Sequence, residues 1–181
     1  MLGYLLGPGD PPQPQFQAAK GGLSSDWVQY LQTPFVRDTL ARLVGDVPVS
    51  VQSRMGGGLT RPDLAGVTSP RGDLISMFVP PSDDFFSHEV GHVLDVRNLA
   101  PAVSSNLYAL YQQNRNRATD EYARTNEYEY IAEAFRHAVN VFRVADAAQR
   151  KAAADDAETS VPGTGLWLDW LKQKFAPQPK N

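Results

Sequence analysis

Residues 88–92 read His-Glu-Val-Gly-His, a run whose residue types and spacing could build a reactive site. On a helix, positions i and i+4 lie one turn apart on the same face. Both imidazoles then reach a single Zn2+ at about 2.0–2.1 Å, the length zinc takes to a histidine nitrogen. Glu89 adjoins the first ligand, where its carboxylate reaches a water at the metal rather than the metal itself. Zinc brings the pKa of such a water to about 7, and a carboxylate that accepts its proton completes a nucleophile at neutral pH. The bland reading is two surface histidines on a helix. It fits poorly in a chain with 3 His, two of them in this pentad.

A catalytic zinc site takes three protein ligands and keeps one position open. The chain has no Cys, and His137 is the only other histidine, so the third ligand is expected among the carboxylates. Apart from Glu158, the glutamates are Glu89 and the cluster Glu121, Glu127, Glu129 and Glu133. Within that cluster Tyr128, Ile131, Ala132 and Phe135 mark an apolar helical face. Glu129 and Glu133, at i and i+4, share the adjoining stripe at the edge of the core. Two carboxylates there are costly unless a positive charge lies close by, and a zinc ion on His88 and His92 would be that charge. One of the pair is read as ligand and the other as an acceptor that orients a histidine ring; Glu133 also has Arg136 within reach. Asp95, at i+3 from His92 and i+7 from His88, is read either behind a histidine ring or against Arg97 at the helix end. His137 fits no ligand spacing with the pentad and reads as a surface or packing residue. Gly91 is small where the helix is expected to pass close to another element.

Helices and strands must hold these groups. Residues 1–23 are rich in Pro, Gly and Gln, most densely over 7–17, and read as a flexible lead-in to a single domain over 24–181. Ser24, Ser25 or Asp26 can cap a helix with Trp27, Val28, Tyr30 and Leu31. Pro34 suits the first turn of a second helix that ends at Gly45. Val47 to Gln52, Leu64 to Thr68 and Asp73 to Val79 have strand character, the last two joined by a turn at 69–72. Gly56 to Gly58 read as a loop that is expected to border the cleft. Asp83 or Asp84 caps the helix carrying the pentad, which runs to about Val96. Residues 102–118 read as helix with Val103, Leu107, Leu110 and Tyr111 on one face, breaking into a polar loop near 114–119. A long helix is expected from about Asn126 to Gln149, a connector over 159–165, and a last helix with Trp167 to Phe175 that frays at its end. The order makes an α+β domain. The strand before the pentad helix is expected to receive an extended substrate by strand addition, through Ile75, Ser76, Met77 and Phe78.

HEVGHVLD followed by DEYARTNEYEYIAEAFR resembles the catalytic domain of anthrax lethal factor and the related secreted Pro-Pro endopeptidases. The resemblance implies a zincin-like fold and a zinc endopeptidase. The family's third ligand is the second Glu of an N-E-x-E-[FY]-x-A-E-x-F run, which is Glu129 here. A tyrosine seven residues earlier, Tyr122, then stabilises the oxyanion, and Asp95 takes the place of the family's Asp three residues after the second His. Glu133 is left as the acceptor behind a histidine. Tyr128 and Tyr130 read as packing. One branch of the family cleaves beside prolines and the other uses basic docking motifs, so a peptide or protein substrate is implied.

Composition narrows the rest. Lys+Arg 17 against Asp+Glu 20 makes a net charge of -3, with no basic stripe for nucleic acid. The absence of Cys removes disulfides and thiol catalysis. No apolar run approaches the ~20 residues of a membrane span, and a monomer is expected. The first ten residues lack the basic start of a signal peptide, which fits a cytoplasmic protein or one whose leader was removed; the resemblance favours secretion. Two alternatives differ in kind: a toxin or effector catalytic domain aimed at one target protein, and a binding module with a structural metal.

Overall fold

In a computed structural model, residues 16–18, 22–51 and 65–176 are described, and they form a mixed α+β domain. Among these residues are seven α-helices and a four-stranded sheet. The chain opens with β1 (Gln17–Ala18), α1 (Ser25–Leu31), a π-helical segment (Val36–Leu40) that runs into α2 (Ala41–Val44), and β2 (Pro48–Val51). After β3 (Gly66–Thr68) and β4 (Ile75–Met77) come α3 (Asp83–Val96), α4 (Pro101–Asn114), α5 (Glu127–Arg143), α6 (Ala147–Ser160) and α7 (Thr164–Lys174). The Gly56–Gly58 loop, Leu64, most of the N-terminal lead-in and the last five residues lie outside the described residues.

The sheet runs β1-β2-β4-β3. β1 and β2 are parallel, β2 and β4 are parallel, and β3 pairs antiparallel with β4. Ser69 closes the β3–β4 hairpin. Its carbonyl accepts from the Gly72 amide at 2.8 Å and its hydroxyl from the Asp73 and Leu74 amides. Gly72 takes a φ of 66°, a left-handed turn conformation that glycine adopts without strain.

α3 lies antiparallel to α5, as the descending partner numbers show. Asp83 pairs with Arg143, Asp84 accepts from Asn140, His88 meets Glu133 and His92 meets Glu129. The two backbones meet at Gly91, where a Cβ would lie 2.9 Å from the Ala132 Cα. That agrees with the small residue expected there. Phe86 anchors α3 on its far end in a cluster with Phe16, Trp27 and Tyr30. Trp167 of α7 packs on Phe135, and its indole donates to the Ile131 carbonyl at 3.2 Å. Fully buried rings such as Phe86 and Phe135 contribute roughly 1.5–3 kcal/mol each through apolar burial, so α3 and α5 are held on both sides.

Four readings of the sequence change. Phe16, placed in the flexible lead-in, is buried and packs on Phe86 at 4.9 Å, with Gln17–Ala18 pairing beside β2. Ser82, rather than Asp83 or Asp84, stands at the N-cap position of α3, and the two aspartates occupy its first turn. The long helix ends at Arg143, and a separate helix begins after Asp146, whose carboxylate caps it by accepting from the Gln149 amide at 2.8 Å. Tyr128, expected on the packed face, is exposed. Tyr130 is packed as expected, with its hydroxyl donating to the Pro162 carbonyl.

Candidate metal centre

α3 carries His88 and His92 on the face turned to α5, and their Nε2 atoms lie 3.0 Å apart. Glu129 reaches the same point from α5. Its Oε2 is 3.1 Å from His88 Nε2 and 3.3 Å from His92 Nε2. The start of α5 is set locally: Asn126 caps it, its side-chain oxygen accepting from the Tyr128 and Glu129 amides at 3.0 Å each. That cap fixes Glu129 in the first turn, one turn before Glu133.

The three ligand atoms fit a tetrahedral metal. Bonds of about 2.0–2.1 Å imply a spacing between ligand atoms of about 3.3–3.4 Å, close to the 3.0–3.3 Å found. Glu129 Oε2 is buried, and although both imidazoles are near it, none makes a well-directed hydrogen bond to it. The three atoms converge to within 3.3 Å of one another. These residues form a group that could hold a metal ion.

Behind the ligands, His88 Nδ1 bonds Glu133 Oε1 at 2.6 Å. If Nδ1 carries the proton, Nε2 is left with its lone pair toward the centre. The other oxygen of Glu133 accepts from Arg136, whose Nη2 also donates to Asp120 Oδ2 at 3.0 Å. Glu133 thus bonds both His88 and Arg136. Asp120, Glu133 and His137 make a second cluster of metal-ligand types, but the Arg136 guanidinium already sits among them as their cation.

Glu89 is 5% exposed. One carboxylate oxygen accepts from the Thr68 hydroxyl at 2.8 Å, and the same hydroxyl lies 2.9 Å from the Glu89 carbonyl. Gly66 makes room for it: a Cβ there would lie 2.9 Å from Glu89 Oε1 and 2.8 Å from Met77 Sδ. Tyr122 hangs over the site from the loop before α5, its ring 5.6 Å from that of His88. A cleft of about 330 Å³ opens here, lined by Gly66, Phe85, His88, Glu89, Tyr122 and Arg136, among others.

Burial and neighbouring charge tune these groups. Burial, opposed by the nearby histidines, raises the Glu89 carboxyl. Burial also raises the Tyr122 phenol to about 12, helped by the Glu129 and Glu89 carboxylates. Burial works against a charge on His88, yet the nearby Glu129 carboxylate and its bond to Glu133 lift it to about 9 in the metal-free protein. Glu129 shows the converse: burial opposes its charge, but His88 and His92 hold it down at about 2. Asp120 is held well below the usual carboxylate range by His137, by the Ala123 amide and by Arg136.

The residues read from the sequence divide clearly. His88, Glu89, His92, Tyr122, Glu129 and Glu133 come together. Asp95 does not: among the described residues its carboxylate bonds neither histidine, and Arg97 donates instead to the Val44 carbonyl. The substrate strand is also corrected. β4 is an inner strand with β2 on one edge and β3 on the other, so neither edge is free to take a peptide. Ile75 and Met77 are fully buried, the Ser76 hydroxyl bonds that of Ser50 at 2.9 Å, and the Phe78 amide donates to the Ala65 carbonyl. His137 is packed against Asp120, in line with its reading as a non-ligand. Thr68 and Asp120 enter the site without a warning in the sequence, whereas Arg136 meets Glu133 as its spacing suggested. A threonine at a strand end and an Asp-Arg pair 16 residues apart have no local signature.

In comparisons with known proteins, no family model, no curated protein and no solved structure matches this chain.

Proposed function

We propose that this chain is a zinc-dependent endopeptidase with a zincin-like fold. The observation that carries the proposal is the buried Oε2 of Glu129, without a hydrogen bond, at 3.1 and 3.3 Å from the two imidazole nitrogens of the His-Glu-x-x-His helix. His88, His92 and Glu129 would hold the ion. Bound there, zinc supplies Lewis acidity and makes water a nucleophile near neutral pH.

The chain's own residues supply the rest. Glu89 takes a proton from the water that attacks the scissile carbonyl and delivers it to the departing amine. Burial strengthens it as a base, and Thr68 fixes its direction. As the carbonyl carbon becomes tetrahedral, Tyr122 donates its hydroxyl hydrogen bond to the oxygen gaining charge. A phenol raised to about 12 stays protonated for that task. β3 flanks the cleft and, among the described residues, pairs on one side only. An extended peptide therefore adds beside Gly66–Thr68 rather than beside β4.

A closed structural metal site has no need of a buried carboxylate beside a cleft, which favours the enzyme over a binding module. The test is a proline-enriched peptide library incubated with zinc-loaded protein and read by mass spectrometry. Cleavage by the wild type and none by Glu89→Ala, with zinc bound equally by both, supports the reading. Zinc bound by both and cleavage by neither points instead to a structural metal.

A further inference from the structure

Asp120 does two things with its two oxygens. Oδ1 accepts from the Tyr122 amide at 2.9 Å and from the Ala123 amide at 3.2 Å, which closes the turn that presents Tyr122. Oδ2 accepts from Arg136 at 3.0 Å. Arg136 in turn donates to Glu133, and Glu133 bonds His88 Nδ1 at 2.6 Å. An unbroken chain of polar contacts thus runs from a candidate ligand on α3, through two side chains of α5, to the backbone of the loop before that helix. The side chains of Glu133, Arg136 and Asp120 are 6%, 22% and 15% exposed, so the links are mostly shielded from water and a lost partner would not be replaced cheaply. Ala123 is fully buried, which pins the loop next to Tyr122. The Tyr122 side chain is 45% exposed, with the His88 ring and the Glu129 carboxylate as its neighbours in the site, and no well-directed hydrogen bond to its hydroxyl is found among the described residues. Its position therefore depends on its backbone.

We propose that Asp120 and Arg136 are positioning residues: Asp120 sets Tyr122 over the cleft through its backbone amide, and Arg136 ties that loop to the carboxylate that orients His88. This rests on the reading of Tyr122 as oxyanion donor only for its kinetic consequence; the positional claim stands on the contacts alone.

The experiment has one arm for each. In metal-free protein, amide hydrogen exchange over residues 121–124 is compared between wild type, Asp120→Ala and Asp120→Asn. Protection is expected to fall at least tenfold at Tyr122 and Ala123 in Asp120→Ala and to be largely kept in Asp120→Asn, whose amide oxygen still accepts. Unchanged protection in Asp120→Ala would overturn the proposal, whatever the enzyme does. On a cleaved peptide, Asp120→Ala should lower kcat by the same factor as Tyr122→Phe with KM little changed, and the double variant should be no slower than either. Multiplying effects would overturn the coupling. If Tyr122→Phe is itself fully active while protection is still lost, the oxyanion role fails and the positioning stands. Arg136→Met is expected to weaken zinc binding about 10- to 100-fold by freeing Glu133 from its partner, measured against a chromophoric chelator. Zinc affinity equal to wild type in that variant would remove Arg136 from the proposal.

Discussion

Replacing Gly91 by alanine tests whether the contact between α3 and α5 sets the geometry of the centre. The new Cβ would lie 2.9 Å from the Ala132 Cα, 3.2 Å from the Ala132 carbonyl oxygen and 3.2 Å from the Phe135 Cβ. Carbon atoms rest at about 3.5–4.0 Å, so the shortest contact falls short by at least about 0.6 Å. The nearest obstacles are backbone atoms of a packed helix, which cannot turn aside as a flexible side chain would. The helices must separate instead. Overpacking of this kind costs about 1–3 kcal/mol, while exchanging a glycine for alanine inside a helix returns about 1 kcal/mol. Net destabilisation of the metal-free protein should therefore be small, about 0–2 kcal/mol.

A metal held as proposed would feel the same shift more sharply. His88 and His92 ride on α3 and Glu129 on α5, so separation moves the ligands apart. A displacement near 0.5 Å exceeds the roughly ±0.2 Å within which ligand distances must lie. Zinc affinity is expected to drop tenfold or more. Urea unfolding in the presence of chelator measures the first quantity, and chelator competition the second. Zinc affinity within twofold of wild type, together with a gain of about 1 kcal/mol in stability, would refute the reasoning, because the close approach would then not define the ligand spacing.

Other expectations follow from the site. Glu89→Gln should retain zinc by elemental analysis and lose about 10²–10⁴-fold in turnover, the range for loss of a positioned proton acceptor; normal single-turnover rates would end its role as base. Thr68→Val removes the hydroxyl that holds Glu89, so activity should fall with zinc content unchanged, and unfolding should shift by about 1–3 kcal/mol for the buried acceptor left short of a partner. In metal-free protein, the raised His88 adds stability that is full below about 6.5 and is lost as pH rises through about 9. The depressed Glu129 adds stability present above about 4.5 and lost as pH falls through about 2. Zinc needs the neutral ring, so its binding should release a proton between those histidine limits, seen by calorimetry in buffers of differing ionisation enthalpy; no dependence on buffer would contradict the protonated His88.

Local sequence alone determined much of the centre. The i, i+4 spacing on α3 follows from helical geometry once Pro80 and Pro81 end the preceding strand segment and Ser82 opens the helix. Glu129 is placed in the first turn of α5 by the adjacent Asn126 cap, again a contact spanning only three residues. The capping signal at Asp146 was equally local, but the apolar period running through Phe142 hid the break. How the pieces meet is set by packing between elements. Glu129 and Glu133 share one helical stripe, and their periodicity could not separate them. Their different roles come from the antiparallel register of α3 on α5, which the near-contact of Gly91 with Ala132 helps to set, putting Glu129 beside both Nε2 atoms and Glu133 beside the outer nitrogen of His88. Strand order likewise put β4 inside the sheet and left β3 beside the cleft, although both have strand-like sequences. Thr68 on Glu89 and Asp120 on Arg136 join residues far apart along the chain. Such pairs depend on where whole elements pack, and packing is a property of the folded chain rather than of any short stretch of it.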